Sequence, residues 1–203
     1  MSADDPRVDS AGSLRDSIID DPTAWTGWAL GARGARLVDA ALRRCQPSYI
    51  LEAGSGASTV ALAEYAKGRR RNLRIISLES DARFFKETND RLVARNLRSR
   101  VDLRLVPLRG YVTPFGLAQW YETEHLPYGI DFALIDGPPG HLSNGRLATL
   151  PALWDRLALD CELWLDDAHR LRERRALHQW EQRYGISVSI HEAGKKLMAK
   201  VTR

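Results

Sequence analysis

The chain has 203 residues, 44% of them hydrophobic and 28% charged, with 30 Lys and Arg against 26 Asp and Glu. That length and balance describe one globular domain with enough apolar mass to cover both faces of a sheet, and they exclude a disordered or fibrous chain. No apolar run approaches the roughly 20 residues that cross a bilayer, and the start lacks a basic-then-apolar leader, so a cytoplasmic location away from membranes is expected.

The formal net charge is +4, carried by arginine in Arg69-Arg70-Arg71 and in Arg170, Arg172, Arg174 and Arg175. Arginine on solvated helix faces accounts for so small an excess, and no nucleic-acid partner is expected. Two cysteines, Cys45 and Cys161, suit reduced thiols better than a disulfide framework.

Residues 1 to 21 hold Asp4, Asp5, Pro6, Asp9, Ser10, Gly12 and Ser13 with few large apolar side chains, and read as a mobile arm. Residues 22 to 203 read as a single domain. Its first helix is expected over Ala35 to Cys45, with Val38, Ala41, Leu42 and Cys45 on one face, and Gln46-Pro47-Ser48 ends it.

Short apolar runs then alternate with longer amphipathic segments, the pattern of repeated βα units around a parallel sheet. Strands are expected at 49–53, 74–78, 102–106, 131–135, 162–165, 186–191 and 196–201, with helices at 58–67, 82–96, 114–124, 147–159 and 168–184. Only Glu192-Ala193-Gly194-Lys195 separates the last two strands, too short a link for a parallel crossover, so the chain closes in an antiparallel hairpin. The expected fold is a doubly wound, mostly parallel, seven-stranded Rossmann-like sheet in three α/β/α layers.

The first strand runs into Gly54-Ser55-Gly56 and then a helix. Glycines there let backbone approach a ligand, the free N–H groups of the helix start face it, and Ser55, Ser58 and Thr59 add hydroxyls. Glu79 follows the end of the second strand, about 20 residues on, where a carboxylate grips a ribose diol in doubly wound folds. A dinucleotide fingerprint would want a third glycine or alanine near Thr59 and leaves the terminal hairpin unexplained.

The segments Leu51-Glu52-Ala53-Gly54-Ser55-Gly56, Glu79 and Leu134-Ile135-Asp136-Gly137-Pro138-Pro139 resemble class I S-adenosylmethionine-dependent methyltransferases, over about Ala35 to the C-terminus. The resemblance implies that Glu52, Gly54, Ser55 and Gly56 line the methionine part of the cofactor and that Glu79 accepts the ribose hydroxyls. Ser58, Thr59, Ser80 and Asp136 complete the candidate cofactor residues.

Asp136 ends one buried strand, and Asp166 and Asp167 end another. Clustered carboxylates repel unless a cation or a proton sits between them, and hard oxygens suit Mg²⁺ or Ca²⁺. This arrangement resembles the metal-dependent O-methyltransferases of the catechol type and related sugar O-methyltransferases, in which the metal holds the acceptor oxygen. The alternative is that Asp136 orients the cofactor while Asp166 and Asp167 cap the helix beginning near Ala168. Catechol-type enzymes place a lysine base shortly after the first metal aspartate, whereas this chain has Pro138, Pro139, Gly140 and His141. Asp136, His141 and His169 are therefore the candidate catalytic residues.

Trp120, Tyr121 and Tyr128 between the third and fourth strands, and Trp25 and Trp28 before the domain, either cover an acceptor pocket or fill the core. Arg146 either binds an anionic acceptor or braces its loop. The function expected is O-methylation of a small hydroxyl-bearing molecule. RNA or protein methylation and an inactive cofactor-binding module are the alternatives, and oligomeric state, a homo-oligomer included, is left open.

Overall fold

The computed structural model describes residues 30–68, 73–114, 116–139 and 144–203. The expected N-terminal arm, Trp25, Trp28, the Arg69–Arg71 run and His141 lie outside the described residues.

Helix α1 (Gly31–Cys45) buries Ala35, Val38, Ala41 and Leu42 along one stripe and stops at Gln46, whose backbone is left-handed just before Pro47. Strands β1 (Tyr49–Ala53), β2 (Arg74–Glu79) and β3 (Asp102–Leu105) are separated by α2 (Ala57–Lys67) and α3 (Ala82–Ala94). After β6 (Ile130–Ile135) come α4 (Thr149–Leu153), β7 (Leu157–Leu165), α5 (Leu171–Tyr184), β8 (Ser187–Ala193) and β9 (Lys196–Thr202). The main sheet has seven strands in the order β3-β2-β1-β6-β7-β9-β8. Pairing is parallel from β3 to β7, and β9 is antiparallel to both β7 and β8. All seven expected strands are present, and the chain closes in the expected hairpin.

The two-residue period of the strands divides the core. Ile50, Ile75, Phe132 and Leu134 face α1, α2 and α3, while Leu51, Ala53, Ile76, Leu78, Ala133 and Ile135 face α5 and the segments before β7. Apolar side chains thus cover both faces, the condition for a mostly parallel sheet.

Two expected helices take another form. The segment read as a helix over 114–124 belongs to a separate antiparallel hairpin, β4 (Leu108–Thr113) with β5 (Gly116–Tyr121). Gly116 at φ 105° makes the turn, and the Thr113 hydroxyl donates to its carbonyl at 2.7 Å. Aromatic and β-branched residues Tyr111, Val112 and Thr113 prefer the extended form, and Ala118 and Trp120 are buried at a spacing of two. The helix read over 147–159 shrinks to the five residues of α4 between two 3-10 turns, Gly145–Ala148 and Trp154–Arg156. Pro151, which has no N–H to donate, is tolerated only in the first turn of a helix and so opposes extension toward Leu147, and β7 already begins at Leu157.

Trp120 and Tyr121 are fully buried core residues, whereas Tyr128 is exposed with the Arg156 guanidinium 4.3 Å over its ring. Among the described residues no helix is long and apolar enough to cross a membrane, and both cysteines are free thiols.

Candidate active site

Backbone bonds continue past the strand ends and set the loops in one row. The N–H of Val106 donates to Glu79 O at 2.8 Å, and those of Gly54, Asp136 and Asp166 donate to Leu78, Ala53 and Ile135 O, each at 2.9 Å. Glu79, the Gly54–Gly56 loop, Asp136 and Asp166 therefore share the carboxyl edge of the sheet, where open α/β folds bind ligands.

Gly54 and Gly56 serve different ends. Gly54 has φ 93°, and a Cβ there would lie 2.7 Å from the Gly137 nitrogen, so this glycine lets two loops touch. Around Gly56 a Cβ would meet nothing within 4 Å, which leaves open space over the N-terminus of α2. The Gly56 N–H donates to Thr59 Oγ1 at 2.9 Å.

Glu52 and Thr59 do not line this open space. Both are fully buried on the β1–α2 unit, where the hydroxyls of Thr59 and Ser77 each donate to Glu52 Oε2 at 2.6 Å. Burial pushes the Glu52 carboxyl up to about 7 against these hydrogen bonds. The expectation that Glu52 lines the methionine part is corrected: its carboxylate shapes the loop from beneath. Ser58 is buried in the first turn of α2, while Ser55 and Ser80 are half-buried at the rim.

Glu79 is tightly held. Ser55 N–H and Oγ donate to its Oε2 at 3.0 and 3.1 Å, and the N–H groups of Ser80 and Asp81 donate to Oε1 at 2.7 and 2.9 Å. Ser55 Oγ also lies 3.1 Å from Thr88 Oγ1. Tyr121, which the sequence offered as either pocket cover or core, is fully buried and brings its phenol to the same edge. A Cβ on Gly137 would lie 2.2 Å from that oxygen, and burial, with Glu79 next in effect, raises the phenol pKa.

Asp136, Asp166 and Asp167 converge, each offering a carboxylate oxygen within 4.8 Å of the others. Adjacent strand residues ordinarily point to opposite sides. Here Asp167 has left-handed backbone, φ 59°, and both carboxylates reach Lys196 Nζ, Asp166 Oδ2 at 3.0 Å and Asp167 Oδ1 at 3.4 Å.

Arg146 enters the cluster from the other side, its side chain 5% exposed. Nη2 is 3.3 Å from Asp136 Oδ1 and 3.4 Å from Asp167 Oδ2, and donates to the Asp136 carbonyl; Nη1 donates to the Asp166 carbonyl at 2.6 Å. Arg170 lies 2.9 Å from Asp167 Oδ2. Arg146 thus braces the loop, the second of its two sequence readings. Asp136 is the most exposed of the three aspartates, and burial, then the nearby Asp166, raise its carboxyl pKa. The capping alternative fails: α5 starts at Leu171, and its N-cap, Arg170, carries no side-chain capping bond. His169 is exposed, with Nδ1 3.5 Å from the Leu197 N–H.

The residues fit a nucleoside-bearing sulfonium cofactor. Open space over Gly56, the helix start beside it and the Glu79 carboxylate one strand over provide backbone donors and an acidic rim. They do not fit a divalent metal as well, because every candidate ligand carboxylate already has a protein cation within 3.4 Å.

No family profile matches the sequence, and no curated protein matches it. Solved structures do match. A methyltransferase from Geobacter sulfurreducens superposes with a TM-score of 0.60 at 19% identity, covering 84% of this chain and 78% of its own. The O-methyltransferase TomG of Streptomyces achromogenes, involved in tomaymycin synthesis and solved in complex with S-adenosylmethionine, gives 0.61 at 12% identity over 85% and 80%. A precorrin-6y C5,15-methyltransferase from Geobacter metallireducens gives 0.61 at 18% over 90% and 94%. The fold of this chain is the class I methyltransferase fold.

Proposed function

We propose that this protein transfers a methyl group from S-adenosylmethionine to a hydroxyl of a small molecule, in a cytoplasmic setting. The observation that carries the reading is the pairing of the open Gly56 cradle with Glu79 across the β1–β2 strand ends, on a fold shared with a neighbour solved with that cofactor.

The cofactor, when bound, supplies an electrophilic methyl on a positive sulfur that is already a good leaving group. The chain's own task is then position and proton removal. The α2 start and the Gly54–Gly56 loop hold the methionine end, and Glu79 takes the ribose hydroxyls. Asp136, the aspartate with most solvent contact, sits next along the edge and receives the acceptor's proton as the new carbon–oxygen bond forms. His169 and His141 remain alternative proton acceptors.

A small acceptor fits better than nucleic acid because Arg146 and Arg170, beside the strand-end aspartates, are paired with carboxylates. Calorimetry tests the reading: S-adenosylmethionine should bind with a micromolar Kd, and NAD should not. No binding, or a preference for the dinucleotide, would remove the proposal.

A further inference from the structure

We infer that Arg146 and Lys196 hold the position a divalent cation would need between Asp136, Asp166 and Asp167, so that this cluster carries its own fixed positive charge and binds no metal.

Four carboxylates, those of Asp136, Asp166, Asp167 and Glu173, face three cations, Arg146, Arg170 and Lys196. The formal charge is therefore close to balanced before any ion arrives. A bound Mg²⁺ or Ca²⁺ would sit about 2.0 to 2.6 Å from its oxygens. It would share those oxygens with a guanidinium and an ammonium already 3.0 to 3.4 Å away, and like charges so close in a largely buried cluster repel.

Arg146 cannot easily withdraw. Its side chain is almost fully buried, and it bridges the ends of β6 and β7 through two backbone carbonyls, so expelling it would leave those acceptors unpaired. Three oxygens of the cluster, Asp166 Oδ1, Asp167 Oδ1 and Glu173 Oε2, are buried without a hydrogen bond, and Asp167 Oδ1 already has Lys196 Nζ at 3.4 Å. Together they could supply at most three ligands of the six or more that these hard cations take.

This inference stands apart from the methyl-transfer reading, because its test needs no cofactor. Melting of the purified full chain is followed against Mg²⁺, Ca²⁺ and Mn²⁺ to 10 mM, beside Lys196→Gln and Asp166→Asn. Wild type should shift by less than 1 °C and be indifferent to EDTA. Lys196→Gln, which removes the cation of Asp166 and one of the three cations beside Asp167, should gain a saturable metal-dependent rise of several degrees. A saturable rise in wild type that Asp166→Asn abolishes would overturn the inference. A Lys196→Gln protein as indifferent as wild type would equally overturn it, since the ammonium would not then be what keeps metal out.

Discussion

The Thr59 hydroxyl donates to Glu52 Oε2 across 2.6 Å, and Thr59 Oγ1 itself accepts the Gly56 N–H, so a buried carboxylate governs the shape of the first loop through Thr59. The proposed cofactor cradle is thus coupled to an ionisable group that a ligand need never touch.

The coupling makes stability depend on pH. Glu52 rises from the ordinary 4.5 to about 7 because burial outweighs its hydrogen bonds. Between those two values the folded state keeps a proton that the unfolded chain has released. Stability from this group is therefore complete below about pH 4.5 and is lost as pH rises to about 7, a change of about 3 kcal/mol. Glu52→Gln keeps an acceptor for Thr59 and Ser77 without the charge. Urea denaturation should find it more stable than wild type at pH 8 by about 1 to 3 kcal/mol, with little or no gain at pH 5. An equal change at both pH values would refute the assignment.

Thr59→Val removes the middle of the relay. Glu52 loses a donor and Gly56 an acceptor around a fully buried side chain, so the expected loss is about 1 to 3 kcal/mol of stability. Cofactor affinity should fall with it, read by calorimetry, while Thr59→Ser keeps the hydroxyl and should recover most of both.

Much of this site was legible in the sequence, for physical reasons. Strand ends at one sheet edge follow from βα alternation, so Gly54, Glu79, Asp136, Asp166 and Asp167 fall together once seven strands are counted. Sequence position does not say which way a side chain points, and Glu52, one residue before the edge, turned out to lie beneath the loop. Long-range charge partners were hidden as well: Lys196 meets Asp166 from the last strand, 30 residues on. The hairpin of β4 and β5 was obscured because Leu117, Trp120 and Tyr121 also fit a helical stripe, although Pro114 and Gly116 after a β-branched pair signalled a turn.

That hairpin makes Gly137 a sensitive position. A methyl there would lie 2.2 Å from the Tyr121 oxygen and 3.0 Å from Gly54 Cα. Gly137→Ala should cost about 2 to 4 kcal/mol, in the range of overpacked or strained cores. Tyr121→Phe removes the nearer obstacle but leaves the Gly54 contact, so in that background the alanine should cost clearly less without becoming neutral. A double-mutant cycle by chemical denaturation gives the coupling, and full additivity would show that the phenol is not what the methyl strikes.

Glu79 offers the sharpest test of the cradle. Two donors occupy each of its carboxylate oxygens, so a ribose diol must displace at least one. The only donor of the four on a rotatable side chain is Ser55 Oγ, and Thr88 Oγ1 stands 3.1 Å away to receive it. Ser55→Ala should therefore leave S-adenosylmethionine affinity within about threefold of wild type, since it removes a competitor along with any contact. Glu79→Gln should weaken it at least tenfold, about 1.4 kcal/mol or more, because an amide NH₂ then opposes either the Ser80 and Asp81 N–H groups or the Ser55 N–H, and one acceptor for the diol is lost. Calorimetry on both variants, with circular dichroism to confirm folding, decides between them: a large loss for Ser55→Ala beside a small one for Glu79→Gln would move the ribose contact from the carboxylate to the serine.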